Sequence, residues 1–311
     1  MDDSRVYILL AAYNGQKYVR QMIDSVLMQD YNNILLILSD DGSTDETPRI
    51  FDEYAHSNPD RVLHYKSGTR FGCAQNHFLH LLSTFSDAPY LMFCDQDDVW
   101  DRDKVRKTMK KMLELEEGLA VPAMVHTDMR VVDENLQVIN PSFWGYSHLD
   151  GGRLALNQLL VQNVVTGCTI MINRRLAKKI CGCEMNHVLM HDWWIALVAS
   201  VCGKVGYLSE QTMNYRQHGE NVVGAKNVRS VGFLWRRLTT SSMRNSLNEN
   251  AKQAESLLKH YRDDMDEEQR TLINAFIHAQ RSSIWIRDYY YVKYGLLKFG
   301  AVRIAAQLLG L

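Results

Sequence analysis

The sequence predicts an α/β fold with a mostly parallel sheet flanked by helices, on two features of its first hundred residues. Short apolar runs, fit for strands buried on both faces, alternate with stretches of helical period. Each of three runs ends in a polar cluster, and in such sheets ligands bind beyond the carboxyl ends of the strands. Residues 6–11 form the first run and Tyr13-Asn14-Gly15 the turn after it. Tyr18, Val19, Met22, Ile23, Val26 and Leu27 then follow the 3.6-residue period of a helix. Residues 34–38 make a second strand ending at Ser39-Asp40-Asp41-Gly42, and Ser43 with Glu46 reads as a capping box opening the next helix. Residues 62–65 are a third strand, 74–82 a helix, and 90–94 a fourth strand that stops at Asp95-Gln96-Asp97-Asp98.

The pattern changes after about residue 118. Residues 124–128 and 130–139 read as a strand and a hairpin turning at Asp133-Glu134-Asn135, and 166–173 as another strand. His191-Asp192-Trp193-Trp194 opens an apolar helix reaching about Cys202. Residues 205–208 and 212–216 are short strands before a polar loop at 217–221, and from about Gly232 the chain is helical and basic. We divide it into an α/β domain at 1–228 and a basic amphipathic helical extension at 229–311.

Composition excludes several classes. With 46% apolar and 23% charged residues among 311, the chain is neither disordered nor short of a core. No apolar run reaches the roughly 18–20 residues of a bilayer span, and the acidic start is no secretory signal, which predicts a cytoplasmic protein. A net charge of -1 offers nucleic acid no general attraction, and no nucleic-acid partner is expected. The six cysteines read as reduced, small core residues; Cys181-Gly182-Cys183 lacks the second pair that a closed zinc site needs.

Three carboxylates within Asp95-Gln96-Asp97-Asp98 repel one another, and a cation explains their grouping; oxygen ligands favour Mg²⁺ or Mn²⁺. Asp101 and Asp103 instead fit the start of the helix carrying Lys104, where acids meet the macrodipole. The chain has no glycine-rich phosphate loop, so diphosphate charge must be met by metal and side chains. A carboxylate of Asp40-Asp41 could accept the imide N–H of uracil or thymine. Asp192, at a helix start, is a candidate general base or simply an N-cap. His218, in a polar loop, is a candidate metal ligand.

With these residues in view, the chain resembles the family 2 glycosyltransferases, inverting enzymes of the GT-A (Rossmann-like) fold, over about residues 5–225. The resemblance implies nucleotide contacts from Ala12, Tyr13 and Asn14, from Asp41, from Asn76 (paired with Gly72 in a Gly…Asn motif), and from Asp95 and Gln96. It implies a DxD motif in Asp95-Gln96-Asp97, metal coordination by Asp97 and His218, and catalysis by Asp192 as base. The wording of 95–100, 163–169, His191-Asp192-Trp193-Trp194 and Tyr215-Arg216-Gln217-His218 is similar to bacterial rhamnosyltransferases that use dTDP-β-L-rhamnose for cell-wall and capsular polysaccharides. A Gln-x-x-Arg-Trp motif is absent, which implies one sugar per acceptor. Thr166, Gly167, Trp100 and Trp193 are candidates for sugar or acceptor contact; Trp194 could serve the same end or pack in the core.

Two other classes compete. A nucleotidyltransferase would carry a glycine-rich basic loop where this chain has Tyr13-Asn14-Gly15-Gln16. A non-catalytic sugar- or lipid-binding relative would not need Asp41, Asp95, Asp97 and Asp192 together. Galactose, glucose or N-acetylhexosamine from a UDP-sugar remain alternatives to rhamnose.

The near-zero charge hides a division. Residues 225–311 hold 14 Lys+Arg against 8 Asp+Glu, a balance of +6, which leaves -7 for residues 1–224. Phe233-Leu234-Trp235-Arg236-Arg237 and the aromatic, basic stretch 285–299 would suit a bilayer surface, as a lipid-linked saccharide acceptor on the inner face of the plasma membrane would require. A helical hairpin packed on the catalytic domain, or on a second copy in a homodimer, is the alternative.

Overall fold

A computed structural model describes residues 4–182, 188–219 and 242–309, and the side chains of all of these except 242–247. Cys183, residues 220–221 and the run 233–237 therefore lie outside the described residues. Strand β1 (Val6–Ala12), helix α1 (Val19–Leu27), β2 (Ile34–Asp40), α2 (Thr47–Ser57), β3 (Val62–Tyr65), α3 (Ala74–Thr84) and β4 (Tyr90–Cys94) alternate as the sequence predicts. β1 pairs in parallel with β2 and β4, and β2 with β3.

Burial of these strands on both faces explains their continuous apolar runs. Successive side chains point to opposite faces, so Val6, Ile8 and Leu10 join one core cluster while Leu9 joins the other. β4 divides likewise, Leu91 and Phe93 on one face and Met92 and Cys94 on the other. Each such side chain contributes about 1.5–3 kcal/mol by leaving water.

The sheet continues through β5 (Val99–Trp100), α4 (Lys104–Glu116), β6 (Ala123–Val132), β7 (Val138–Asn140), α5 (Phe143–Tyr146), α6 (Leu156–Leu159), β8 (Met171–Asn173), α7 (Arg174–Cys181), α8 (His191–Cys202) and β9 (Lys204–Arg216). Its order is β3-β2-β1-β4-β8-β6-β9-β5, with β7 hairpinned onto β6. β8 runs antiparallel to β4 and β6, and β9 parallel to β6, which makes a mixed α/β sheet.

Four local expectations need correction. The capping box does not form: α2 starts at Thr47 with no side-chain cap, because Ser43 Oγ donates to Asp40 and accepts from Asn14 N–H instead. The strand expected over 166–173 is a 3₁₀ turn, Gly167–Thr169, followed by the short β8. The strand at 124–128 and the first arm of the hairpin are one strand, β6. The two strands at 205–208 and 212–216 are one, β9, whose pairing shifts register opposite Thr127 and Asp128.

Four helices follow: α9 (Ser242–Tyr261), α10 (Glu267–Gln280), α11 (Ile284–Lys293) and α12 (Ala301–Leu309). Leu257 and Tyr261 of α9, Phe276 of α10 and Tyr291 of α11 share one buried cluster with Leu9 and with Trp194 of α8. The helices thus extend the sheet's own core.

Candidate active site

The loop after β1 and the loop after β2 are knitted together by local polar chemistry. Gly15 N–H donates to Thr47 Oγ1 at 2.9 Å, Gln16 N–H to Asp45 Oδ2 at 3.0 Å, and Thr44 N–H to Asn14 Oδ1 at 2.9 Å. Gln96, in the turn after β4, completes the rim: its Oε1 accepts from Tyr13 N–H at 2.9 Å and its Nε2 donates to Tyr13 O at 3.2 Å. A Cβ on Gly15 would stand 2.6 Å from Gln96 Oε1, so a larger residue there would push the Gln96 amide off Tyr13. Gln96 therefore acts on the site through Tyr13.

Asp41 is buried beside this rim. Its carboxylate accepts from the backbone N–H groups of Phe71 and, at 2.8 Å, of Gly72, which fixes its direction. Tyr13 is 44% exposed, and Arg70 lies over its ring at 5.2 Å while donating to its hydroxyl at 3.1 Å. Arg70 also runs across Gly42, 3.6 Å from where a Cβ would stand. Sequence reasoning missed Arg70, since nothing in the local pattern marks it. Asn76 is exposed on the first turn of α3.

The acidic turn divides its carboxylates: Asp95 and Asp98 lie with Cys168, their ligand atoms within 4.8 Å of one another, while Asp97 turns to His218. Asp97 Oδ2 lies 2.6 Å from His218 Nε2, across 121 positions of sequence. Asp98 is fully buried and turns inward, Oδ1 accepting Arg216 N–H at 3.1 Å. Burial, together with Asp97 and Asp95, pushes the Asp98 carboxyl well up. Burial and the neighbouring Asp97 likewise raise Asp95, to about 7. The buried Lys104 amine is one counter-charge; desolvation lowers it to about 8, and it donates to Thr212 Oγ1 at 3.2 Å. Asp98 thus ties the turn to the end of β9 through its Oδ1, while Asp97 pairs with His218.

Arg216 is the second residue that sequence reasoning missed as a site residue, though it lies in the motif that ends at His218. Only 2% exposed, its Nε donates to Asp97 O at 2.7 Å and its two Nη atoms to Glu134 O and Gln21 Oε1, both at 2.5 Å. Its guanidinium also lies 4.4 Å from the Tyr18 ring centroid. This one side chain fastens the end of β9 to the acidic turn, which brings His218 to Asp97.

Asp192 sits in the first turn of α8, one residue inside the helix, and Met190 is the cap. The N-cap explanation therefore does not hold. Its Oδ1 accepts from Trp193 N–H at 2.6 Å and from Asn163 Nδ2 at 3.1 Å. Burial raises its carboxyl to about 6, against the lowering effect of donors from Trp193, Gly167 and Asn163. The Asp192 charge also acts on Asp95, so the helix start faces the acidic turn.

The candidate sugar contacts divide. Gly167 is buried against His191, whose Nε2 would stand 2.6 Å from an added Cβ, and Thr166 is half-buried at the turn. Trp193 is half-buried, its Nε1 donating to Leu159 O at 2.7 Å. Trp100 needs correction: at 3% exposure its ring lies in the core under Lys104, with no face for a sugar. Trp194 is fully buried and packs against Tyr261.

A fold with polar loops gathered at one sheet rim and two separate acidic centres fits many transferases, and similarity to known proteins narrows it. A model of "Glycosyl transferase family 2" matches residues 7–181, more than half of the chain. The chain belongs to glycosyl transferase family 2. It is a glycosyltransferase, which sets aside the nucleotidyltransferase and the non-catalytic readings. The enzyme is 26% identical over 257 residues to the dTDP-rhamnosyl transferase RfbG of Shigella flexneri, covering 76% of this chain and 84% of that one. Among solved structures it resembles S. aureus TarS 1-349 in complex with UDP-GlcNAc, with a TM-score of 0.60 at 16% identity, over 89% of this chain and 72% of that. It also resembles the mannosyltransferase PcManGT of Pyrobaculum calidifontis in complex with GDP-Man and Mn²⁺, with a TM-score of 0.53 at 17% identity, over 98% and 78%. These two likenesses establish the GT-A fold of the glycosyltransferase.

Proposed function

We propose that this glycosyltransferase moves one sugar, L-rhamnose from dTDP-β-L-rhamnose, with inversion, onto a lipid-linked saccharide acceptor in bacterial cell-wall or capsular polysaccharide synthesis. The observation that carries the reaction type is the pair of separated acidic centres on one rim. Asp97 with His218 forms one, and Asp192 with its N–H donors the other. The rhamnose donor is supported by the similarity to RfbG along most of both chains.

Asp97 and His218 suit a divalent ion. Asp97 Oδ2 and His218 Nε2 are hydrogen-bonded at 2.6 Å, and parting to the roughly 3 Å between adjacent ligands of an octahedral Mg²⁺ or Mn²⁺ would let both hold the ion. Such an ion would neutralise the charge that develops on the leaving nucleoside diphosphate. The Tyr13 ring and the Asp41 carboxylate, from the loops after β1 and β2, and Asn76, from the first turn of α3, receive the nucleotide; Asp95 receives its ribose. Asp192 takes the proton of the acceptor hydroxyl, and the hydroxyl oxygen then attacks the anomeric carbon from the side opposite the diphosphate. From a β-linked donor, inversion gives an α-L-rhamnoside. Trp193, Thr166 and Gly167 border the acceptor side of Asp192. Peripheral attachment to the inner face of the plasma membrane follows from the lipid on the acceptor.

A panel of nucleotide sugars tests this, scored for thermal stabilisation and for nucleoside diphosphate release with acceptor present. The expected result is stabilisation by dTDP and dTDP-rhamnose. Stabilisation by a UDP-sugar with no response to dTDP-rhamnose would overturn the donor. Activity that survives EDTA would remove the metal role of Asp97 and His218.

A further inference from the structure

The last two helices expose an apolar surface that the catalytic chemistry does not use. On α11, Trp285 is 83% exposed, and Ile286, Tyr289 and Val292 are exposed with it. Val302 and Leu309 of α12 are exposed too, and no residue of α12 is buried. Patches of this kind mark interaction sites on soluble folds.

The surface is rigidly mounted. Arg287, itself buried, donates to Gln307 O at 3.0 Å and Leu308 O at 3.1 Å, holding the carboxyl end of α12 against α11. The connection between the two helices is tied to the body: Phe299 N–H donates to Gln162 Oε1 at 2.8 Å, and Asn157 Nδ2 to Gly295 O at 3.1 Å. Arg153 and Arg303 add bonds to Leu297 O and Ser147 O. Gln162 adjoins Asn163, whose amide holds Asp192. The exposed face and the base are therefore joined through one short segment.

Charge selects the occupant. Residues 281–309 hold five basic residues and one acidic residue, Asp288, which is paired with Arg287 at 3.0 Å. Arg281 is paired with Glu255, and Lys293 lies beside the Tyr289 and Tyr294 rings at the edge of the patch. Tryptophan and tyrosine beside cations suit the headgroup region of an anionic bilayer. We propose that the outward face of α11 and α12 docks the enzyme on an anionic lipid surface, presenting the Asn163–Asp192 side of the rim to an acceptor whose lipid stays in the bilayer. The docking rests on the proposed lipid-linked acceptor and deepens it.

The test is sedimentation of the full chain with phosphatidylcholine vesicles, with and without phosphatidylglycerol, at low and high salt. Anionic vesicles should bind at least about tenfold more enzyme than neutral ones, and salt should weaken the binding. The double variant Trp285→Ser/Tyr289→Ser should lose about tenfold of it while keeping its melting temperature and its diphosphate release with a water-soluble acceptor analogue. Enzyme that stays in the supernatant, or a double variant that sediments like the parent, would overturn the docking. So would a parent dimer in light scattering that Trp285→Ser makes monomeric, because the face would then belong to a second copy. Intact transfer without vesicle binding removes the docking alone. Vesicle binding without transfer from any nucleotide sugar leaves the docking and removes the acceptor reading.

Discussion

The turn carrying Asp97 and the helix start carrying Asp192 share one rim but are assembled in opposite ways. Asp97 depends on distant chain: His218 and Arg216 reach it from the end of β9, about 120 residues away. Asp192 depends on near chain, with donors from the next residue and from Asn163 and Gly167, at most 29 residues upstream. The first centre forms only when the whole sheet closes, whereas the second is built from one helix start and the segment before it. A global loosening should therefore disturb the proposed metal site at Asp97 before the proposed base at Asp192.

The largest expected effect belongs to the base. Asp192→Asn keeps the size of the side chain and its place in the helix but cannot take a proton. Turnover should fall by roughly 10²–10⁴-fold, with donor binding by calorimetry unchanged. Full activity in this variant would show that the base lies elsewhere on the rim.

Arg216→Ala tests the distant assembly next. It removes the donors to Asp97 O, Glu134 O and Gln21 Oε1 but leaves the backbone bond to Asp98. Residues that orient metal ligands typically change metal affinity about 10–100-fold, so the Mn²⁺ concentration for half-maximal activity should rise by that order. Unfolding free energy should fall by about 1–3 kcal/mol, since the buried Asp97 loses the partner of its carbonyl. Turnover at saturating Mn²⁺ should change much less. A fall in turnover with unchanged Mn²⁺ dependence would break the contrast between the two centres.

These differences also explain what could be read in advance. The alternation of β1 to β4 with helices was legible because buried parallel strands must be apolar and their ends polar. The loop after β1 was legible as a turn for a similar local reason. Trp100 was not: its position next to an acidic turn resembles a sugar platform, and only the packing of Ser25, Lys104 and β9 around it makes it core. Arg216 and Arg70 carry no periodic signal at all, since their partners lie in other loops. Gln96 looked like a ligand contact, yet its amide is held by the main chain of Tyr13. The exposed face of α11 was legible as an aromatic, basic stretch, but what covers it was not, because amphipathic sequence does not name a distant partner.

The smallest effect probes how the near assembly tunes its carboxylate. Burial raises Asp192 to about 6, and the Asn163 amide is one of the donors that hold it down. Asn163→Ala removes that donor, so the carboxyl rises further. A base works only when ionised; a higher value means a smaller ionised fraction at pH 6 and no change well above it. The acid limb of kcat/KM should therefore move to higher pH. Activity at pH 6 should drop about three- to tenfold, and activity at pH 8.5 should stay near that of the parent. A drop of equal size at both pH values would mean that Asn163 holds the acceptor or the fold instead of the charge on Asp192. An acid limb that moves with Arg216→Ala as well would mean that the two centres titrate as one, and the separation between near and distant assembly would not extend to their electrostatics.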